Sequence, residues 1–208
     1  MDTFIFIIEI IGTIAFSVSG AMIGIEKKMD IFGISILGLT TAVGGGIIRD
    51  LMIGSFPPKT FQNPVYAAVA IATAIVIFIL AYIQKLIYNT KFFNFMIFVM
   101  DSLGLGIFTV VGINTAYQTS HHFSNFLLVF VGVLTGVGGG VLRDMLAGNM
   151  PYIFVKHVYA CASLAGAILC VYTIDALGMQ GAMIFGAIVI VLIRFLSAYY
   201  KWNLPRIK

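Results

Sequence analysis

Arg49-Asp50 and Arg143-Asp144 are basic–acidic dipeptides set in otherwise oily stretches, "GGGIIRD" over 44–50 and "GGGVLRD" over 138–144. Glu9 and Asp101 are two further carboxylates in apolar surroundings. An ionisable group inside a membrane span costs roughly 2.5–3.5 kcal/mol by insertion scales, so each needs a partner or water and marks a functional site by default. Adjacent residues on a helix point about 100° apart, which leaves Arg49 and Asp50 poorly placed for one another, and Arg143 and Asp144 likewise. Matched depths give other pairs: Glu9 with Arg49, and Asp101 with Arg143. Such pairs either line or gate a path or only staple helices together. No nucleophile–base set, phosphate loop or metal-ligand cluster accompanies them, so the expectation is a protein that is no enzyme and holds no cofactor or metal. His121, His122 and His157 read as solvated loop or helix-start residues, and Cys161 and Cys170 as small apolar packing residues.

The glycines beside these charges carry a second kind of chemistry. At ~1.5 Å per residue across ~30 Å of hydrocarbon, Gly44, Gly45 and Gly46 fall near the midplane, and Gly138, Gly139 and Gly140 reach the same depth from the other side. A helix broken there would free carbonyl oxygens near Thr41 and Thr135, whose hydroxyls add lone pairs. Oxygen-rich surfaces of that sort suit a hard monovalent cation such as K+ or Na+. The alternative is that small residues let two helices approach closely.

The elements that must position these groups are membrane helices. The chain has 208 residues, 61% hydrophobic and 10% charged, and a mean hydropathy of +1.07, far from the mix of a soluble domain. Seven stretches reach the ~20 apolar residues that a span needs: 3–25, 31–53, 64–84, 94–116, 123–147, 153–173 and 178–199. The first lacks a basic lead and a cleavage site and reads as a retained helix. Lys27, Lys28, Lys85, Lys91, Lys156, Lys201, Arg206 and Lys208 fall on one side, and Lys59 alone on the other. The positive-inside rule then puts the N-terminus outside and the C-terminus in the cytoplasm of an inner (plasma) membrane, with Tyr199, Tyr200 and Trp202 anchoring the cytoplasmic interface. The net charge of +4 reads as topology and contact with membrane lipid, not as nucleic-acid binding.

Residues 38–57, "GLTTAVGGGIIRDLMIGSFP", align without a gap on 132–151, "GVLTGVGGGVLRDMLAGNMP". Before them, "EIIGTIAFSVSG" (9–20) matches "DSLGLGIFTVVG" (101–112) in an acid, a glycine, a phenylalanine and a glycine; after them, Val65-Tyr66-Ala67 matches Val158-Tyr159-Ala160. The expectation is an all-α, single transmembrane domain over 1–208: repeat 1 over 3–84, repeat 2 over 94–173, and a seventh helix over 178–199. A repeat of three spans ends on the side opposite its start, so the second copy is inverted, an arrangement that puts a site between the halves.

These features resemble the prokaryotic branch of the trimeric intracellular cation (TRIC) channels, from Glu9 to the seventh span. The resemblance implies a homotrimer in which each subunit has its own pore, passing potassium and sodium with little preference. It also implies that the second and fifth spans kink beside the pore at Gly44–Gly46 and Gly138–Gly140, next to Arg49, Asp50, Arg143 and Asp144. The same repeat carries a glycine-transporter-like label, so a secondary transporter of a small solute such as glycine is the alternative function. A membrane scaffold without transport is the third.

Overall fold

The computed structural model describes residues 3–84, 90–120, 123–155 and 158–202. Lys85, Lys156, Arg206, Lys208 and the three histidines lie outside them. The described residues form α1 (Thr3–Glu26), α2 (Ile31–Met52), α3 (Lys59–Gln62), α4 (Val65–Gln84), α5 (Thr90–Thr119), α6 (Asn125–Leu146), α7 (Tyr152–Val155) and α8 (Tyr159–Tyr199), with no strand among them. Six of these helices are long and apolar enough to cross a membrane.

The sixth is two helical limbs. At 41 residues, α8 would extend about 60 Å, twice the hydrocarbon thickness. Gly178 interrupts it at φ 67°, ψ 166°, a conformation essentially reserved for glycine. Residues on the two sides of Gly178 then meet: a Cβ on Gly186 would lie 2.8 Å from the Cβ of Cys170, and one on Gly166 would overlap the Ile190 side chain. The limbs therefore form a hairpin, and the stretch expected as a separate helix from 178 is its second limb. The span expected from 153 starts later, at Tyr159, because Tyr152–Val155 forms the separate short helix α7.

Sequence pattern accounts for the helix ends. Asp30 and Ser124 occupy equivalent N-caps, accepting from Gly33 N at 2.7 Å and Leu127 N at 3.3 Å. At the other ends Gly54 (φ 72°) and Gly148 (φ 68°) take left-handed backbone. Each closes a Schellman turn: Ser55 N donates to Asp50 O at 2.9 Å, and Asn149 N to Asp144 O at 2.8 Å. These are the last glycines of the doubled motif.

In the packing, α1 lies on α2, α4 and α5, α2 on α6, and α5 on α6 and α8. Contacts between the repeats run in opposite order. Gly12 faces Phe108 while Gly104 faces Phe16, and Gly45 faces Thr135 while Gly139 faces Thr41. Each of these helix pairs is therefore antiparallel, as inverted copies require.

Candidate functional site

Each conserved step of the internal repeat has a physical job. Within a repeat, Gly20 and Gly112 let α1 and α5 cross α2 and α6: a Cβ at either would stand 2.6 and 2.5 Å from the Oγ1 atoms of Thr41 and Thr135. In each triplet, the first glycine makes room for the other repeat, with Gly44 against the Leu142 side chain and Gly138 against Gly45 Cα. The second sits on a backbone carbonyl of the opposite helix, Gly45 on Thr135 O and Gly139 on Thr41 O, too close for any methyl. The third faces charge: a Cβ on Gly46 would lie 3.8 Å from Arg49 Nη2, and one on Gly140 3.7 Å from Arg143 Nη2.

This corrects the expected break. Helices α2 and α6 keep helical backbone through Gly44–Gly46 and Gly138–Gly140, because the glycines spend their missing side chains on a close crossing. Thr41 and Thr135 are fully buried, and their hydroxyls donate to Leu37 O and Val131 O, both at 2.6 Å. They do not line the cavity described below.

The Arg-Asp dipeptides form clamps. Arg49 Nε donates to Asp50 Oδ1 at 2.8 Å, and Arg143 Nε to Asp144 Oδ1 at 2.8 Å. The long arginine chain spans the 100° that separates neighbours on the helix, which overturns the expectation that these residues face apart. The second carboxylate oxygen accepts from the first residue of the following short helix, Lys59 N to Asp50 Oδ2 at 2.8 Å and Tyr152 N to Asp144 Oδ2 at 2.9 Å. One aspartate thus ties the end of a long helix to the start of a short one, in both repeats.

From there the halves diverge. In repeat 2, Arg143 Nη1 reaches Asp101 Oδ1 at 2.5 Å, the expected pair, and also donates to Ser19 Oγ of repeat 1 at 2.6 Å. Tyr159 donates to Asp101 at 3.4 Å. Arg194, from the second limb of α8, approaches Asp101 Oδ2 at 3.7 Å and lies over the Tyr159 and Phe98 rings. Arg143 and Asp101 are both 0% exposed, so this end is sealed. Its formal charges, Asp101 and Asp144 against Arg143 and Arg194, cancel.

In repeat 1 the expected Glu9–Arg49 pair does not form. Tyr66 donates to the Glu9 carboxylate instead, and Arg49 turns to Asp50. Glu9 and Arg49 border one open cavity of about 430 Å³ with Thr13, Gly46, Lys59, Asn63, Tyr66 and Phe108. Glu9, Asp50 and Arg49 leave one net negative charge, which Lys59 at the wall offsets. Partial desolvation, then the Arg49 charge, lowers the Lys59 pKa; Asp50 and Glu9 act in the opposite direction.

Sequence pattern alone did not single out Tyr66, Tyr159, Ser19 or Arg194 as site residues. Both tyrosines stand in the repeated Val-Tyr-Ala, and Arg194 is an ionisable residue inside an apolar stretch, so each carried a signal. Ser19 did not, because its counterpart in repeat 2 is Val111.

A family profile described as "Glycine transporter" matches residues 6–82 and 98–175, the two repeats without the second limb of α8. The inner membrane protein YadS of Escherichia coli (strain K12) is 32% identical over 95% of this chain and 93% of its own. The membrane protein YvgT of Bacillus subtilis (strain 168) is 34% identical over 96% and 94%. The solved structure of the TRIC trimeric intracellular cation channel orthologue from Rhodobacter sphaeroides is 32% identical, with a TM-score of 0.86 over 97% of this chain and 100% of that one. With its doubled motif, its inverted helix pairs and this likeness over nearly its whole length, the chain is a multi-pass membrane protein that belongs to the prokaryotic TRIC channel family, the family of that profile.

Proposed function

We propose that this protein is a passive monovalent cation channel, permeable to potassium and sodium, with a pore inside each subunit of a homotrimer. The observation that carries the reading is the pair of related charged sites at opposite ends of one subunit's interior, one open to a cavity beside Glu9 and the other sealed around Arg143. Glu9 offers cations a carboxylate at the open end, where Asp50 and Lys59 bring the formal charge to zero. The Arg49–Asp50 clamp removes a repulsion of about 4 kcal/mol that a bare guanidinium would exert at 4 Å and an effective dielectric of 20. The glycine crossing of α2 and α6 fixes the path's position between the ends. The likeness to the Rhodobacter sphaeroides channel orthologue supports both cation passage and the trimer.

In this reading the chain crosses an inner (plasma) membrane seven times, the two limbs of α8 counting separately. The lysine bias puts the N-terminus and the Glu9 cavity outside and the C-terminus in the cytoplasm. Purified protein in planar bilayers is expected to give discrete unitary currents in potassium and in sodium.

One observation favours a second reading. Glu9 and Arg49 reach the same cavity without pairing, an arrangement that suits a small zwitterion such as glycine and hence a secondary transporter. Saturable, gradient-coupled uptake without unitary currents would establish it in place of the channel.

A further inference from the structure

We propose that the facing rings of Phe16 and Phe108 are a hydrophobic barrier across the path between the two charged sites, each ring held in a seat that a glycine of the other repeat provides. The proposal rests on the channel reading and names where that path is dry.

Phe16 follows Glu9 by seven residues on α1, and Phe108 follows Asp101 by seven on α5, about 10 Å along each helix. The helices are antiparallel, so the rings meet between the charged ends, with centroids 5.2 Å apart. Phe108, 8% exposed, is part of the wall of the open cavity, and Phe16, 1% exposed, lies behind it. Phe16 also borders Gly139, a Cβ on which would be 3.2 Å from its ring, and a Cβ on the adjoining Gly140 would be 3.7 Å from Asp101 Oδ1. From the cavity, Phe108, Phe16 and Gly139 thus follow one another as neighbours towards the sealed network.

The pair belongs to one apolar cluster with Ala42, Val43 and Ala70, so a cation crossing it would leave its hydration shell without replacement ligands. Apolar constrictions of this kind gate by expelling water. Each ring also has a seat. A methyl on Gly104 would overlap the Phe16 ring, and one on Gly12 would stand 3.2 Å from Phe108. This gives the spacing acid-x-x-Gly-x-x-x-Phe, present at 9–16 and 101–108, a purpose beyond helix packing. Each ring leans on the other repeat, so relative movement of the repeats unseats both.

The test uses full-length protein in planar bilayers, comparing the wild type with Phe108→Leu, Phe108→Ala, Phe108→Asn and Phe16→Ala, each checked for a cooperative melt in detergent. Open probability in potassium chloride is expected to rise several-fold in the alanine variants and further in Phe108→Asn. Phe108→Leu, which keeps apolar bulk and packs with least loss, should rise least. That order follows polarity at the ring position, which a merely structural role would not produce. A silent wild type with a conducting Phe108→Asn supports the barrier equally. Wild-type currents with unchanged open probability in every folded variant overturn the barrier and leave the channel reading standing. Silence in the wild type and all variants overturns both.

Discussion

Glu9 and Asp101 hold equivalent positions and live in different surroundings. Asp101 is locked to Arg143 in a dry network, whereas Glu9 keeps only a tyrosine and faces the cavity. A double-mutant cycle on thermal unfolding in detergent should therefore separate them. Asp101→Asn with Arg143→Met is expected to show coupling of about 1–3 kcal/mol, and Glu9→Gln with Arg49→Met to be additive within ~0.5 kcal/mol; equal coupling in both would contradict the asymmetry. Lys59 supplies a pH test. Its folded pKa is lowered below 10.5, so the unfolded chain binds the proton more tightly, the penalty is fully present at neutral pH, and stability rises as pH climbs towards 10.5. The melting temperature of the wild type should gain on that of Lys59→Met over that alkaline range, modestly because the lysine reaches solvent; a constant difference would refute the desolvated ammonium. At this scale the sequence made the charged positions visible, and depth matching found Asp101–Arg143. It failed for Glu9–Arg49 because depth cannot tell which neighbour a flexible guanidinium chooses: Arg49 turns to Asp50 alone, whereas Arg143 reaches both Asp144 and Asp101.

Helix α2 crosses α6 where glycine carries nothing outward, so the crossing fails when a side chain is added. Gly45→Ala and Gly139→Ala would press a methyl on the opposite carbonyl, and each is expected to cost about 1–3 kcal/mol by overpacking. Gly178→Ala acts otherwise: nothing lies within 4 Å of its Cβ, and the expected loss of about 1–3 kcal/mol comes from backbone strain alone. Thermal melts of the three variants check this, and a wild-type melt for Gly45→Ala and Gly139→Ala would mean that the helices do not cross so closely. Most helix bounds were legible, because runs such as 3–25 and 31–53 end at caps and turns that composition announces. The fate of the triple glycine was not. A run of glycines is equally compatible with a broken helix and with a close crossing, and only the partner helix decides between them.

Two copies of one motif, facing opposite ways, build an interior with an open end and a closed end. The second limb of α8 breaks the symmetry, since Arg194 has no counterpart in repeat 1 and reinforces only the closed end. Orientation is tested with cysteines: one at Ser120 should react with an impermeant thiol reagent added outside intact cells, and one at Lys27 should not. The reverse pattern would exchange outer for inner. A separate pore in each subunit, entered past Glu9, is tested by single-channel recording of Glu9→Cys during addition of a positively charged thiol reagent. Current is expected to fall in three equal steps, while the wild type, whose Cys161 and Cys170 lie outside the cavity, is unaffected. A single complete step, which one shared central pore would give, or no block of modified protein would contradict a pore in each subunit.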